Sequence, residues 1–212
     1  MHPTPELVTQ HFRSEYSGPK IAFFVAGGGF SALDFRRFPG GSSKYHTAVE
    51  PYSEDTASFL NRFANAGITD PSNFRFVNAD GTAQALQALQ SYCNDDHNLL
   101  YVVINSACTS DRFRRGDNRA YIHTSRGDMY LFHMSKLEQD GYEALANKSM
   151  NYIDQIRFEE DRRIGQVALA IIMEDPSLFP VLEAGESVVR LHRDSNGSWV
   201  ENAADTLATS SN

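Results

Sequence analysis

The fold is decided by a stretch in which an apolar run meets three glycines: Phe24-Val25-Ala26-Gly27-Gly28-Gly29-Phe30-Ser31-Ala32. The apolar run begins after Lys20 and does not alternate with polar residues, which predicts a strand covered by helices on both faces of a sheet. Glycines adopt positive φ readily and leave their N–H groups accessible, so the strand should end in a loop that can bind a phosphate, a carboxylate or a polarised carbonyl. The alternative is a tight turn with no ligand.

Composition and charge describe one globular domain. The 212 residues are 41% hydrophobic and 22% charged, which suffices for a core of ordinary size. The net charge of −8 argues against nucleic acid and anionic membrane as partners. No apolar run approaches the ~20 residues of a membrane helix, and the first residues lack the pattern of a signal peptide, so we expect a cytoplasmic protein.

Cysteine and histidine give no sign of a metal or of a disulfide framework. Cys93 and Cys108 are the two cysteines, and the seven histidines are scattered without a ligand pair such as HExxH. We therefore expect no metal and no cofactor.

The order of the predicted elements indicates an α/β fold with a mixed central sheet, helices on both faces and a small C-terminal β-hairpin. Strands are predicted over 20–26, 45–50, 99–104, 120–124 and 129–133, and helices over 7–17, 55–63, 80–92 and 158–173. Asp80 or Thr82 is expected to cap the helix predicted over 80–92. The charged run 159–163 is expected to form the solvent-exposed start of the helix predicted over 158–173. We expect a helical extension over 1–19 and an α/β domain over 20–175. The segment 176–212 is expected to hold the C-terminal hairpin, followed from Ala203 by a mobile tail.

A second informative segment follows the predicted strand 99–104. Ser106, Cys108, Thr109 and Ser110 bring hydroxyl and thiol groups to a strand end, where open α/β sheets place their ligand sites. Arg112, Arg114, Arg115 and Arg119 follow closely, and guanidinium groups suit phosphate or carboxylate binding. The alternative is a solvated basic loop that pairs with the protein's own acids.

Four segments in this order resemble the CinA C-terminal domain family, whose best-known members are nicotinamide mononucleotide deamidases. Gly28 and Gly29 resemble the Thr-Gly-Gly of the family's Glu-Ser-Cys-Thr-Gly-Gly loop. The segments 39–43 and 49–53 resemble its Gly-Ser-Ser/Ala and Val-x-Tyr-Ser motifs, and Ser106 falls where its (Thr/Ser)-Gly-Ile-Ala-Gly-Pro loop begins. The run 111–116 matches the Asp-Arg-x-x-Arg-Gly signature of a divergent CinA-like branch. The likeness covers residues 20 to 173.

The resemblance implies a homo-oligomeric protein that binds a pyridine nucleotide and hydrolyses its carboxamide to carboxylate and ammonia. The candidate catalytic residues are Ser31, Tyr52 and Ser106. The candidate ligand-binding residues are Gly27, Gly28, Gly29, Phe30, Ser53, Thr109, Ser110, Arg112 and Arg115. Arg112 and Arg115 are expected to bind the anionic group of the ligand, while the glycine loop and Ser106 face its uncharged end.

Two departures from the family pattern bear on catalysis. Val25 stands where the family has its loop serine, and Ala57 stands where it has a lysine that would activate the nucleophile. Ser31 can replace the serine only if the loop folds differently. Because loss of a nucleophile or its base costs orders of magnitude in rate, we expect the pocket to be kept rather than the amidohydrolase activity, which leaves a catalytically silent nucleotide-binding module.

A third interpretation is a dinucleotide-binding oxidoreductase. The segment 27–32 satisfies G-x-G-x-x-A after a strand, and Glu50 ends the next strand where a ribose-binding acid is expected. Two features speak against this interpretation: Pro39 cuts short the helix that follows the glycines, and the usual series of further βα units is missing.

Overall fold

The computed structural model describes residues 3–51, 53–71, 75–110, 116–136, 139–146 and 150–209, and these form one mixed α/β layer structure. The helices are α1 (Pro5–Glu15), α2 (Ser53–Ala64), α3 (Ala79–Tyr92), α4 (Gln139–Ala146) and α5 (Met150–Met173). The strands are β1 (Lys20–Ala26), β2 (Tyr45–Val49), β3 (Leu99–Ala107), β4 (Asn118–Thr124), β5 (Met129–Met134), β6 (Ser187–Arg193) and β7 (Trp199–Thr209). Short 3-10 helices cover Phe30–Arg37, Gly41–Ser43 and Pro176–Leu178.

The described strands form one sheet in the order β2-β1-β3-β4-β5-β6-β7. β1 pairs with β2 and β3 in parallel, and every later pair is antiparallel. The mixed sheet predicted from the sequence is therefore confirmed. No helix within the described residues is long and apolar enough to cross a membrane.

The unbroken apolar run of β1 is explained by burial on both faces of the sheet. Ile21, Phe23 and Val25 join one core with α1 and α5, whereas Ala22 and Phe24 join a second core with α2 and α3. Side chains alternate across a strand, so a strand with a core on each side needs apolar residues at every position. The prediction of helices on both faces is confirmed.

The C-terminal hairpin is part of the main sheet, because β6 pairs with β5. The mobile tail expected from Ala203 is wrong, since β7 continues to Thr209 and pairs with β6 there. An edge strand is held by backbone hydrogen bonds, which do not require apolar side chains, so the part of β7 from Ala203 onward gave no strand signal.

Two helices differ from the expectation. α5 begins at Met150 rather than near residue 158, and half of its added residues are polar, with Ile153 buried. The cap of α3 is Asn78, whose Oδ1 accepts from the Gly81 N–H at 2.7 Å, and not Asp80 or Thr82. Asn78 has extended backbone angles, as an N-cap residue requires, whereas the other two lie inside the helix.

A buried ion pair joins the C-terminal hairpin to α5. The Glu186 side chain is 0% exposed and Arg163 is 17% exposed, and Glu186 also accepts from the N–H groups of Ser135 and Glu183. Burial raises the pKa of Glu186, but the hydrogen bonds from Arg163 and the two N–H groups outweigh it and hold that pKa below its usual 4.5.

Replacing Glu186 by Gln is expected to lower the free energy of unfolding by about 3 kcal/mol, because it leaves Arg163 without its buried partner. A depressed folded-state pKa means that the pair stabilises the protein above about pH 4.5 and that this contribution is lost as pH falls through the lower folded value. Urea unfolding should therefore show that the free energy of unfolding of Glu186→Gln differs less from that of wild type at about pH 3.5 than at about pH 7. Glu183→Gln is the matched control, since Glu183 is 66% exposed and 3.9 Å from Arg163. An equal effect of both substitutions would contradict this assignment.

Gly165 sets the distance between α5 and the segment after the glycine loop. A Cβ at Gly165 would lie 2.2 Å from Ser31 Oγ and 2.6 Å from the Ala32 nitrogen. Alanine normally stabilises a helix interior by about 1 kcal/mol relative to glycine. At Gly165, however, the collision with the backbone at Ala32 should make alanine destabilising rather than stabilising.

Gly165→Ala is expected to destabilise the protein by about 1–3 kcal/mol, since the new methyl group has no room. Gly116→Ala is its control, because a Cβ at Gly116 meets no atom within 4 Å and its φ is not positive. Thermal unfolding of both variants decides the point. A higher melting temperature for Gly165→Ala would show that α5 does not approach Ser31 so closely.

Candidate functional site

The candidate site lies at the carboxyl ends of the parallel strands β1 and β3. The connection from β1 to β2 contributes Ala32, Leu33 and Phe35 to the first core, whereas the connection from β2 to β3 places α2 and α3 on the second. The chain therefore leaves neighbouring strands toward opposite faces of the sheet. Such a switch point opens a crevice beyond the strand ends, where α/β proteins bind ligands.

A cavity of about 520 Å³ occupies this position. Gly27 and Phe30 line it from the loop after β1, and Asn105 and Ser106 line it from the end of β3. Apolar wall residues come from outside these two segments and include Pro51, Pro71, Phe76 and Val77. Among the described residues, the charged groups at the cavity are Glu50, which directly follows β2, and Arg157 on α5, and both residues are exposed.

The glycine loop is shaped by close approach to β3 and α5. Gly27 and Gly29 have φ of 87° and 92°, which favours glycine. A Cβ at Gly27 would lie 2.0 Å from the Ser106 carbonyl oxygen, and one at Gly28 would lie 2.7 Å from Cys108 Sγ. The loops after β1 and β3 are therefore in direct contact, as expected for the two walls of one cleft.

The N–H groups of this loop bind a carboxylate of the chain itself. Asp161 Oδ1 accepts from the N–H groups of Gly29 at 2.6 Å and Phe30 at 2.7 Å, and Oδ2 accepts from that of Ser31 at 3.0 Å. The Ser31 hydroxyl donates to the Asp161 carbonyl at 2.7 Å. Of the three glycine N–H groups that were expected to meet a ligand, that of Gly29 thus meets α5.

The neighbouring residue Glu160 holds the other loop in the same way. Its Oε2 accepts from the Thr109 N–H at 2.7 Å, and its Oε1 accepts from the Thr109 hydroxyl at 2.7 Å and from Asn118 Nδ2 at 2.8 Å. Glu160 is 7% exposed. The expectation of a solvated helix start over 159–163 is therefore wrong for Glu160, because polar groups of the loop after β3 and of β4 replace water around its carboxylate.

The polar floor of the cavity consists of Asn105 and Ser106, both almost completely buried. Asn105 Nδ2 donates to the Phe76 carbonyl and to Thr82 Oγ1, each at 2.9 Å, while its Oδ1 is buried without a hydrogen-bond partner among the described residues. The Ser106 hydroxyl donates to the Ala26 carbonyl at 3.4 Å and lies 3.5 Å from Cys108 Sγ.

The structure brings some of the predicted site residues together and not others. Gly27, Phe30 and Ser106 line the cavity, whereas Ser31 lines a smaller cavity of about 240 Å³ between α1 and α5. Gly28 and Gly29 pack against β3 and α5, Thr109 binds Glu160, and Ser110 is half-buried beyond it. Tyr52, Arg112 and Arg115 lie outside the described residues, and Ser53 is known only as the first residue of α2.

Three residues at the site were not identified from the sequence: Asn105, Glu160 and Asp161. Asn105 directly follows the apolar run of β3, and an amide side chain at the end of an apolar run was the signal available in the sequence. Glu160 and Asp161 bind groups far away in the sequence, which no local pattern reveals.

The sequence matches no protein-family model, and no curated protein matches it. The fold, in contrast, is similar to known crystal structures. Competence/damage inducible protein CihA from Agrobacterium tumefaciens superposes with a TM-score of 0.55 at 11% identity, over 82% of this chain and 97% of that one.

Weaker structural likenesses are to two enterobacterial proteins. A CinA superfamily protein from Enterobacter cloacae has a TM-score of 0.45 at 11% identity over 74% of this chain and 94% of that one. A competence or damage-inducible protein from Enterobacter asburiae has a TM-score of 0.47 at 11% identity over 73% and 99%. The likeness to CihA confirms the prediction at the level of fold: this chain has the α/β fold of that competence/damage inducible protein.

Proposed function

We propose that this protein binds a small nucleotide in the cavity between the loops after β1 and β3, and that it does so without efficient hydrolysis. The observation that carries the proposal is the cavity itself. It lies at the switch point of the sheet, and it combines apolar walls with a buried amide and hydroxyl.

The size and lining of the cavity suit a flat ring joined to a sugar. About 520 Å³ lies within the ~300–1,000 Å³ usual for small-molecule sites. Phe30 and Phe76 supply apolar surface for a heterocycle, while Asn105 and Ser106 supply polar groups that can orient it. Glu50 is an acceptor for sugar hydroxyls.

The anionic group of the ligand is assigned to arginines rather than to the glycine loop. Arg157 lines the cavity, and guanidinium groups bind phosphate through paired N–H donors. The N–H groups of Gly29, Phe30 and Ser31 already bind Asp161, so these three are not available to a phosphate. Arg112 and Arg115 remain proposed phosphate ligands on the strength of the sequence.

The reaction that the CinA resemblance implies is hydrolysis of a nicotinamide carboxamide, and it needs a nucleophile with a base. Among the described cavity-lining residues, none is a histidine or a lysine. The Ser106 hydroxyl donates to a carbonyl of β1, and the Ser31 hydroxyl donates to α5. These arrangements support a binding module over an amidohydrolase.

The oxidoreductase interpretation receives partial support from Glu50, which follows β2 and lines the cavity. A dinucleotide, however, places its pyrophosphate on the N–H groups of the glycine loop. Asp161 occupies those groups, and a 3-10 helix follows instead of an α-helix. We therefore favour a mononucleotide ligand.

Arg157→Ala is expected to weaken the binding of nicotinamide mononucleotide by about 10–100-fold, the value of one charge-assisted hydrogen bond. The unphosphorylated nicotinamide riboside should bind wild type and variant alike, because it lacks the group that Arg157 meets. Calorimetry with both ligands, together with an ammonia assay, measures binding and hydrolysis in one preparation.

Arg162→Ala is the matched control for Arg157→Ala. Arg162 lies on the same helix but pairs with Glu6 and Glu159, and it is not among the described residues that line this cavity. Equal affinity of wild type and Arg157→Ala for the mononucleotide would contradict the role of Arg157. Absence of binding by any nucleotide would overturn the proposal, and steady ammonia release would show that the activity survives.

A further inference from the structure

The buried amide of Asn105 uses its donor group and leaves its acceptor unused. Asn105 is 0% exposed, and its backbone is held in register with Ala26 on β1 and Tyr121 on β4. Its Nδ2 donates to the Phe76 carbonyl and to Thr82 Oγ1, whereas its Oδ1 meets no hydrogen-bond donor in the part of the chain that the structure describes. A buried acceptor without a donor costs free energy, so this oxygen calls for a partner from outside the chain.

The direction of the Asn105 amide is fixed by its neighbours. The Thr82 hydroxyl donates to the Asn78 carbonyl at 2.7 Å, so the Thr82 oxygen is left to accept from Asn105. The Phe76 carbonyl is an acceptor as well, and it also binds the Asn78 N–H at 2.8 Å. A flipped amide would place Oδ1 against two acceptor oxygens, which rules that orientation out. Asn105 therefore keeps Nδ2 toward Thr82 and Phe76, and Oδ1 on the opposite edge of the amide.

The side chain of Asn105 belongs to the floor of the cavity between the loops after β1 and β3. A ligand in that cavity is the partner within reach of Oδ1, and it has to bring a hydrogen-bond donor. Carbonyl oxygens, unprotonated ring nitrogens and carboxylates are acceptors, so none of them can fill this role. Because Oδ1 is buried, the donor also has to project from the ring, as an –NH2 group does and a ring N–H does not.

We propose that the base of the bound nucleotide carries an –NH2 group, either in a carboxamide or as an amino substituent, and that Asn105 selects the ligand by accepting from this group. A nucleotide with a carboxylate in the same place is rejected, because its oxygens would face the lone pairs of Oδ1. This selectivity rests on the proposed function, since it needs a nucleotide in the cavity. It adds the chemical group that the cavity floor recognises.

The test compares nucleotides that differ in this group alone. Nicotinamide mononucleotide is paired with its 3-acetylpyridine analogue, in which methyl replaces –NH2, and adenosine monophosphate is paired with purine riboside monophosphate, in which hydrogen replaces it. In the pair that fits the cavity, calorimetry on wild type should show about 10–100-fold tighter binding of the –NH2 member, because its analogue leaves Oδ1 without a donor. Nicotinic acid mononucleotide should bind more weakly than nicotinamide mononucleotide.

Asn105→Leu assigns the selectivity to Asn105, because leucine has a similar volume and no acceptor. In this variant the two members of a pair should bind with equal affinity. Ser106→Ala is the matched comparison, since Ser106 is the other polar residue of the floor, and there the difference within the pair should persist.

Should Asn105→Leu fail to fold, the side-chain amide of wild type decides the matter. A hydrogen bond to Oδ1 polarises the amide. In ¹H–¹⁵N spectra, the Asn105 side-chain –NH2 signals should therefore move further downfield with the –NH2 nucleotide than with its analogue. Equal movement with both would contradict the role of Asn105.

The role of Asn105 is also overturned if wild type binds both members of each pair equally, or if Asn105→Leu keeps the preference for the –NH2 member. In either case a nucleotide still binds, so the proposed function stands. If none of these nucleotides binds to wild type, the proposed function itself fails, and the selectivity of Asn105 falls with it.

Discussion

The structure around the site depends on two adjacent carboxylates of α5. Asp161 binds the backbone of the loop after β1, and Glu160 binds the loop after β3. Both loops leave the sheet at a switch point, where the strands themselves no longer hold the chain together. One helix therefore fixes both walls of the cavity, and it does so with charge-assisted hydrogen bonds, which are stronger than neutral ones.

This arrangement changes what the three glycines mean. A Cβ at Gly27 would collide with Ser106, and one at Gly28 would collide with Cys108. A Cβ at Gly29 would collide with Ile104 and Ile164. The loop is thus built for contact with the protein's own strand and helix. In the proposed function, recognition of the ligand therefore falls to side chains at the cavity, above all to the buried amide of Asn105 and the guanidinium of Arg157.

Local patterns in the sequence were enough to predict much of the fold. β1 was predicted with its observed limits because a doubly buried strand has an unbroken apolar run, and the position of β3 followed from the same signal. The C-terminal hairpin was predicted, but the continuation of β7 from Ala203 to Thr209 was missed, because edge pairing leaves no apolar pattern. The site residues were harder to predict from the sequence. Glu160 lies in a charged run that looks like a solvent-exposed helix turn, and its hydrogen-bond partner Thr109 is 51 residues away, so no local pattern reveals the contact.

The central claim is that the cavity between the two loops binds a nucleotide, and ¹H–¹⁵N spectra during a titration with nicotinamide mononucleotide test it most directly. If the nucleotide binds there, the backbone signals of Gly27, Phe30, Asn105 and Ser106 shift together and saturate. The claim is contradicted if these signals stay unchanged at saturating nucleotide, or if the shifts gather instead at Gln10 and Gln166, which line the smaller cavity between α1 and α5.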